Sequence, residues 1–84
     1  MPKVASDLTI VREVLAQHGG LSVDVNSLDA ESDLYDAGLT SLATVGVMLA
    51  LEDRFNIEFP ESMLRRKTFE SLDSIGDAIS EIVG

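Results

Sequence analysis

The segment from Ser41 to about Arg54 constrains the fold most, because it reads as a helix with two separate apolar faces. At about 100° per residue, its apolar side chains fall on either side of the direction of Ser41, at about 20–100° and about 240–340°. The first set, here the outer stripe, is Leu42, Val45 and Leu49. The second set, here the inner stripe, is Thr44, Val47, Met48, Leu51 and Phe55.

One apolar stripe is enough to anchor a helix in a small bundle, so the outer stripe is surplus. Either the helix is central and buried on both sides, or the outer stripe is an exposed apolar patch. We favour the exposed patch, rimmed by Glu52 and Asp53 and used for binding partner proteins.

The rest of the chain carries helical periodicity and no convincing strand pattern, which predicts an all-α bundle. The 84 residues form one domain, 1–84. We predict three main helices, one short helix and a long loop between helices I and II. They are helix I from the N-cap Ser6 to His18, the loop Gly19–Thr40, helix II, a short helix Glu61–Arg66 after Pro60, and a last helix from the N-cap Ser71 to Val83.

The long loop contains scattered apolar residues that we expect to pin it to the helices. They are Leu21, Val23, Val25, Leu28, Leu34 and Leu39. Its acidic stretch Asp29-x-Glu31-x-Asp33 superficially resembles the start of a calcium-binding EF-hand loop. Leu34 stands where that loop needs glycine and Thr40 where it needs glutamate, so we predict no metal site.

Composition excludes several classes of function. The chain has no cysteine, which rules out disulfide scaffolds and zinc-thiolate sites and fits a cytoplasmic location. A net charge of −9 makes nucleic acid an unfavourable partner. We find no signal peptide and no apolar run long enough to span a membrane, so we expect no membrane association. We also expect a monomer. The acidity serves either solubility or association with basic partner surfaces.

Ser41, at the start of helix II, has three interpretations. It is an ordinary N-cap, a catalytic nucleophile, or the mounting point of a phosphate ester, which the helix N-terminus would stabilise. Nucleophilic catalysis needs a base, and the only histidine is His18 at the end of helix I. We therefore predict no catalytic residues and no enzyme activity. Gly38 gives the approaching loop the backbone freedom that a tight entry to the helix needs.

The stretch Asp33-Leu34-Tyr35-Asp36-Ala37-Gly38-Leu39-Thr40-Ser41-Leu42, the aliphatic helix and the exit Phe55-x-Ile57-x-x-Pro60 together resemble the acyl carrier protein family over nearly the whole chain. The resemblance implies that Ser41 bears 4′-phosphopantetheine, transferred from coenzyme A by a phosphopantetheinyl transferase. It implies an arm that carries acyl or aminoacyl groups as thioesters. A loading ligase and downstream transferases or synthases are then the other partners, and they meet Leu42, Val45, Leu49, Glu52 and Asp53.

Three departures from the fatty-acid type favour a specialised pathway over the housekeeping fatty-acid carrier. Thr40 replaces the usual aspartate before the serine, Gly46 replaces an acidic residue, and the third helix ends in the basic run Arg65-Arg66-Lys67. That run is either a solvated helix end or a docking patch for an acidic partner. A helical protein–protein adaptor without a prosthetic group is the alternative function.

Overall fold

The computed structural model describes residues 5–83, with side chains from Leu8 onward. Within that range it contains three α-helices and no strand: α1 (Ala5–His18), α2 (Ser41–Phe55) and α3 (Leu72–Val83). Helix α1 packs against both α2 and α3, which places the core between the three helices. The all-α prediction is confirmed. Ser6, our predicted N-cap, lies within α1, which already includes Ala5, so that prediction was wrong. The Ser6 side chain lies outside the described residues.

The core is aliphatic, as the composition predicts. Its fully buried side chains come from all three helices and from the α1–α2 connection. They are Val11, Val14, Leu15, Leu34, Val47, Leu51, Leu72, Ile75 and Ile79. Two aromatic side chains complete it, since the rings of Phe59 and Phe69 meet in a tilted pair with centroids 5.5 Å apart.

The connection between α1 and α2 is long but bonded throughout. It contains a 3-10 turn at Val25–Ser27, capped by the Asp24 side chain. Val25, Leu34 and Leu39 are buried in the core, whereas Val23 is exposed, so our expectation that it pins the loop was wrong. Val23 lies just before the turn capped by Asp24, and Val25, the first residue of that turn, is the valine that is buried.

The short third helix predicted at Glu61–Arg66 is not an α-helix. Two 3-10 turns, Glu61–Met63 and Arg66–Phe69, stand in its place, separated by an extended residue at Arg65. Six residues form too few intrahelical bonds to offset the cost of nucleating a helix. The break places Leu64 and the two arginines along the side of α2, where they line a common cleft with it.

The start of α3 and the end of α2 follow local sequence signals. Ser71 caps α3 as predicted, because its hydroxyl oxygen accepts a bond from the N–H of Ser74 at 3.0 Å. Asn56 ends α2 in the left-handed conformation at φ 54°. The Phe59 N–H then donates to a Glu52 carboxylate oxygen at 2.9 Å, which fixes how the chain leaves α2.

Candidate functional site

Ser41 is the first residue of α2, and Thr40, not Ser41, is the N-cap. The Thr40 hydroxyl oxygen accepts a bond from the N–H of Ala43 at 3.0 Å, and its carbonyl accepts from the N–H of Thr44 at 2.9 Å. The interpretation of Ser41 as an ordinary cap is therefore wrong. Thr40 departs from the fatty-acid pattern, yet it performs the capping that leaves the serine hydroxyl unused.

The Ser41 side chain is exposed, and its hydroxyl makes no hydrogen bond to any described residue. The N–H groups of Ser41 and Leu42 likewise have no acceptor within residues 5–83. Free N–H groups at the positive end of a helix favour a negatively charged group. The local geometry thus fits a phosphate ester on this hydroxyl.

The turn that leads into α2 is held on both sides. The Asp33 carboxylate accepts from the N–H of Tyr35 at 2.9 Å, and the Leu34 N–H donates to the Glu70 carbonyl at 2.7 Å. Asp33 therefore caps a turn, which gives the EF-hand-like stretch a structural role. No group of three or more His, Asp or Glu side chains among residues 5–83 is arranged to hold a metal ion.

Gly38 allows the close approach of two loop segments just before the serine. Its φ is +112°, and a Cβ there would lie 3.0 Å from the backbone nitrogen of Ser22. The Ser22 N–H and hydroxyl both donate to the Ala37 carbonyl at 2.9 Å. Only glycine satisfies this conformation and this spacing together, so the position of Ser41 depends on it.

The outer stripe is exposed, whereas the inner stripe is fully buried at Val47 and Leu51 and partly buried at Thr44, Met48 and Phe55. Leu42 is 84% exposed, Leu49 55% and Val45 50%, whereas Val47 and Leu51 are completely buried. The alternative in which α2 is buried on both sides is wrong. Asp53 is exposed beside the stripe, and Glu52 is partly exposed with one carboxylate oxygen bonded to the Phe59 N–H.

A cleft of about 400 Å³ opens beside Ser41, between α2 and the segment 64–69. Its lining is mainly apolar and includes two arginines. The lining residues are Tyr35, Ser41, Thr44, Val45, Met48, Leu64, Arg65, Arg66 and Phe69. Leu64, 47% exposed, continues the apolar surface of Val45 and Met48 across the cleft.

Tyr35 joins the approach loop to the far wall of this cleft. Its hydroxyl donates to the Arg66 carbonyl at 2.9 Å, and the Arg66 guanidinium lies 3.9 Å from its ring centroid. Burial raises the pKa of the Tyr35 hydroxyl, and the nearby Arg66 charge partly offsets this. Tyr35 is therefore a neutral donor at physiological pH.

Sequence reasoning missed Leu64, Tyr35 and Arg66 as parts of one site. Tyr35 and Arg66 are separated by 31 residues along the chain and meet only through the fold. A possible sequence signal was the aromatic Tyr35 before the serine together with the cationic Arg66 after α2, because such residues can form a cation–π contact. His18 is not among the residues that line the cleft.

These features describe a small helical domain with an exposed serine hydroxyl, an exposed apolar stripe and an adjoining cleft. An exposed stripe of this kind is typical of a surface that binds other proteins.

The family follows from comparison with known proteins. Residues 8–79 match the family model described as the phosphopantetheine attachment site. The chain belongs to this family of carrier proteins, whose prosthetic group is 4′-phosphopantetheine; it is a carrier and not an enzyme.

A relative and two solved structures agree with this assignment. The chain is 45% identical to an aminoacyl carrier protein of Agrobacterium fabrum over 73 residues, 87% of this chain and 88% of the relative. It is 44% identical to a chain in the crystal structure of an engineered Bradyrhizobium japonicum glycine:[carrier protein] ligase complexed with carrier protein from Agrobacterium tumefaciens and AMP. There the TM-score is 0.85, with 87% of this chain and 97% of that chain covered. A holo acyl carrier protein from Nitrosomonas europaea matches with TM-score 0.78 and 30% identity, covering 88% of this chain and 92% of that one.

No helix within residues 5–83 is both long enough and apolar enough to cross a membrane.

Proposed function

We propose that this chain is an aminoacyl carrier protein and that Ser41 is the residue esterified by 4′-phosphopantetheine. The observation that carries the proposal is the unused, exposed hydroxyl of Ser41 at the first position of α2, with Thr40 taking the cap. When bound, the group supplies a thiol that holds cargo as a thioester. The family match over residues 8–79 supports treating residues 1–84 as one carrier domain.

The residues of the chain position and display the serine and do no chemistry on the cargo. The Thr40 cap and the bonded turn at Asp33–Gly38 fix where the hydroxyl lies. The outer stripe, with Glu52 and Asp53 at its rim, is the surface that partner enzymes contact. Leu64 extends that surface across the cleft.

The first partner is a phosphopantetheinyl transferase, and the second is a ligase that loads an amino acid. The ligase is supported by the 45% identical aminoacyl carrier protein and by the 44% identical chain in a structure with a glycine:[carrier protein] ligase. Downstream transferases or synthases that accept the cargo are the third class. We further propose a cytoplasmic location, where coenzyme A, the donor of the arm, is available.

Intact-mass measurement tests the attachment. Incubation with coenzyme A and a promiscuous phosphopantetheinyl transferase should add about 340 Da to the chain. Ser41→Ala should add nothing. A matched control is Ser62→Ala, an exposed serine outside the described cleft, which should be modified as the wild type is. An addition that persists in Ser41→Ala would contradict the site.

The cargo is tested on the chain that already carries the 4′-phosphopantetheine arm. Addition of a glycine-specific ligase with glycine and ATP should increase the mass by about 57 Da, and hydroxylamine should remove it, as expected for a thioester. Failure with every amino acid, together with success using an acyl ligase, would point to an acyl cargo. If no arm is added at all, the helical adaptor without a prosthetic group becomes the better interpretation.

A further inference from the structure

Three adjacent cations, Arg65, Arg66 and Lys67, stand out in a chain of net charge −9. Within residues 5–83 none of them has a carboxylate at ion-pair distance. By contrast, Arg54 pairs with Glu13 at 2.9 Å. The chain has 15 Asp and Glu side chains, yet within the described part of the chain none lies at ion-pair distance from these three cations, so an external negative charge could bind there.

The three cations do not face the same way. Arg65 and Arg66 line the cleft that contains Ser41, and Lys67 does not. The division favours a small anionic group inside the cleft and also supplies a built-in control residue.

Arg66 is held in place before any ligand arrives. Its guanidinium stacks on the Tyr35 ring at 3.9 Å, and its carbonyl accepts the Tyr35 hydroxyl at 2.9 Å. Stacking occupies a face of the guanidinium and leaves its N–H edges available to an oxyanion. The Arg65 Nε donates to the Ser62 carbonyl at 2.9 Å, which orients that side chain while its terminal N–H groups stay free.

We propose that Arg66, assisted by Arg65, binds the phosphodiester that joins the prosthetic arm to Ser41, and thereby directs the arm into the cleft. The proposal rests on Ser41 being the attachment residue. Guanidinium and phosphate oxygens form paired, charge-assisted bonds. The contact would neutralise the negative charge that loading adds to an already acidic chain, and Arg66 would act as a positioning residue.

The test compares Arg66→Gln with Lys67→Gln, two variants with the same change in net charge. In this test, 'loaded' means that the 4′-phosphopantetheine arm is attached to Ser41, and each variant is measured with and without the arm. Loading should change the backbone amide shifts of Tyr35 and Leu64 in the wild type and in Lys67→Gln. In Arg66→Gln these changes should fall at least about twofold, since a lost charge-assisted bond removes much of the bound population. Arg66→Lys, which keeps the charge without the planar fork, should be intermediate.

Thermal unfolding supplies a second readout that subtracts any effect of the substitution on folding itself. The difference in Tm between loaded and unloaded protein should be lower in Arg66→Gln than in Lys67→Gln by about 2–5 °C at low salt. High salt should reduce this difference between the two variants, because it screens the attraction between the guanidinium and the phosphate.

The outcomes separate this proposal from the attachment itself. If intact mass shows no arm on Ser41, the proposed function fails. If the arm is present but Arg66→Gln and Lys67→Gln behave alike, the proposal for Arg66 is overturned and the attachment stands. Normal shifts and Tm in loaded Arg66→Gln with slowed ligase loading would also overturn it, because Arg66 would then contact the partner protein.

Discussion

Helix α2 carries two largely apolar stripes, one packed toward the core and one exposed. The inner stripe places Val47 and Leu51 at full burial, while Leu42, Val45 and Leu49 of the outer stripe are at least half exposed. The same 15-residue helix therefore has apolar side chains in the core and apolar side chains at the surface. The inner stripe stabilises the core, and the outer stripe is accessible to partner proteins. Substitutions on the two stripes should separate stability from recognition.

The largest expected effect is on the inner stripe. Leu51→Ala should lower the free energy of unfolding by about 2–5 kcal/mol, because it removes buried methyl groups and leaves a cavity. Urea unfolding followed by circular dichroism measures this. Leu49→Ala, the same change two positions earlier, should alter stability by less than about 0.5 kcal/mol. Equal losses in the two variants would break the distinction between the stripes.

The second effect is on recognition. Leu49→Ala should raise the KM for loading by the ligase by about tenfold, as expected for truncating an anchor worth more than 1 kcal/mol at an interface. A control is Ala16→Ser, an exposed position on α1 away from the cleft, which should load at the wild-type rate. Unchanged loading in Leu42→Ala, Val45→Ala and Leu49→Ala alike would remove the outer stripe from the partner surface.

The third effect concerns the residues at the start of α2. Thr40→Ala should cost about 1 kcal/mol of stability through loss of the cap. Ser41→Ala should leave stability within about 0.5 kcal/mol of the wild type, since the Ser41 hydroxyl makes no bond within the described chain. It should nevertheless abolish loading. The pair is measured by urea unfolding and intact mass, and a greater stability loss in Ser41→Ala than in Thr40→Ala would contradict the cap assignment.

The smallest effect is an increase in stability at Gly46. A Cβ at this position of α2 would meet nothing within 4 Å, so the fold itself does not require glycine there. Gly46→Ala should raise the free energy of unfolding by about 0.5–1 kcal/mol through helix propensity. Gly38→Ala provides the contrast and should destabilise the protein, because its φ is +112°. Thermal unfolding of both variants would check this, and a lower Tm in Gly46→Ala than in the wild type would contradict the prediction.

Sequence predicted the helices and the stripes well because both depend on local periodicity. The bounds of α2, the Ser71 cap and the burial of the Val47 and Leu51 positions all follow from residues close together in the chain. The sequence analysis considered Ser41 as a cap and did not consider Thr40, although both residue types are good caps. Backbone geometry, with Thr40 extended and Ser41 helical, decides between them.

The cleft could not be predicted, since it depends on contacts between distant segments. The short third helix had a plausible start after Pro60, but it breaks at Leu64 and Arg65, and that break turns both side chains toward α2. Glu52 looked like a free rim carboxylate, yet one of its oxygens accepts the Phe59 N–H. Periodicity carries no information about such bonds.

The exposed stripe also bears on how proteins of this kind diversify. Its side chains are largely free of the core, so changes at Leu42, Val45 and Leu49 escape the selection for stability that restrains the inner stripe. If this stripe is the partner surface, as we propose, one copy of a duplicated gene could exchange one partner enzyme for another through a few substitutions and still fold. The same freedom should let a designer retarget the carrier to a new ligase while leaving the core sequence untouched.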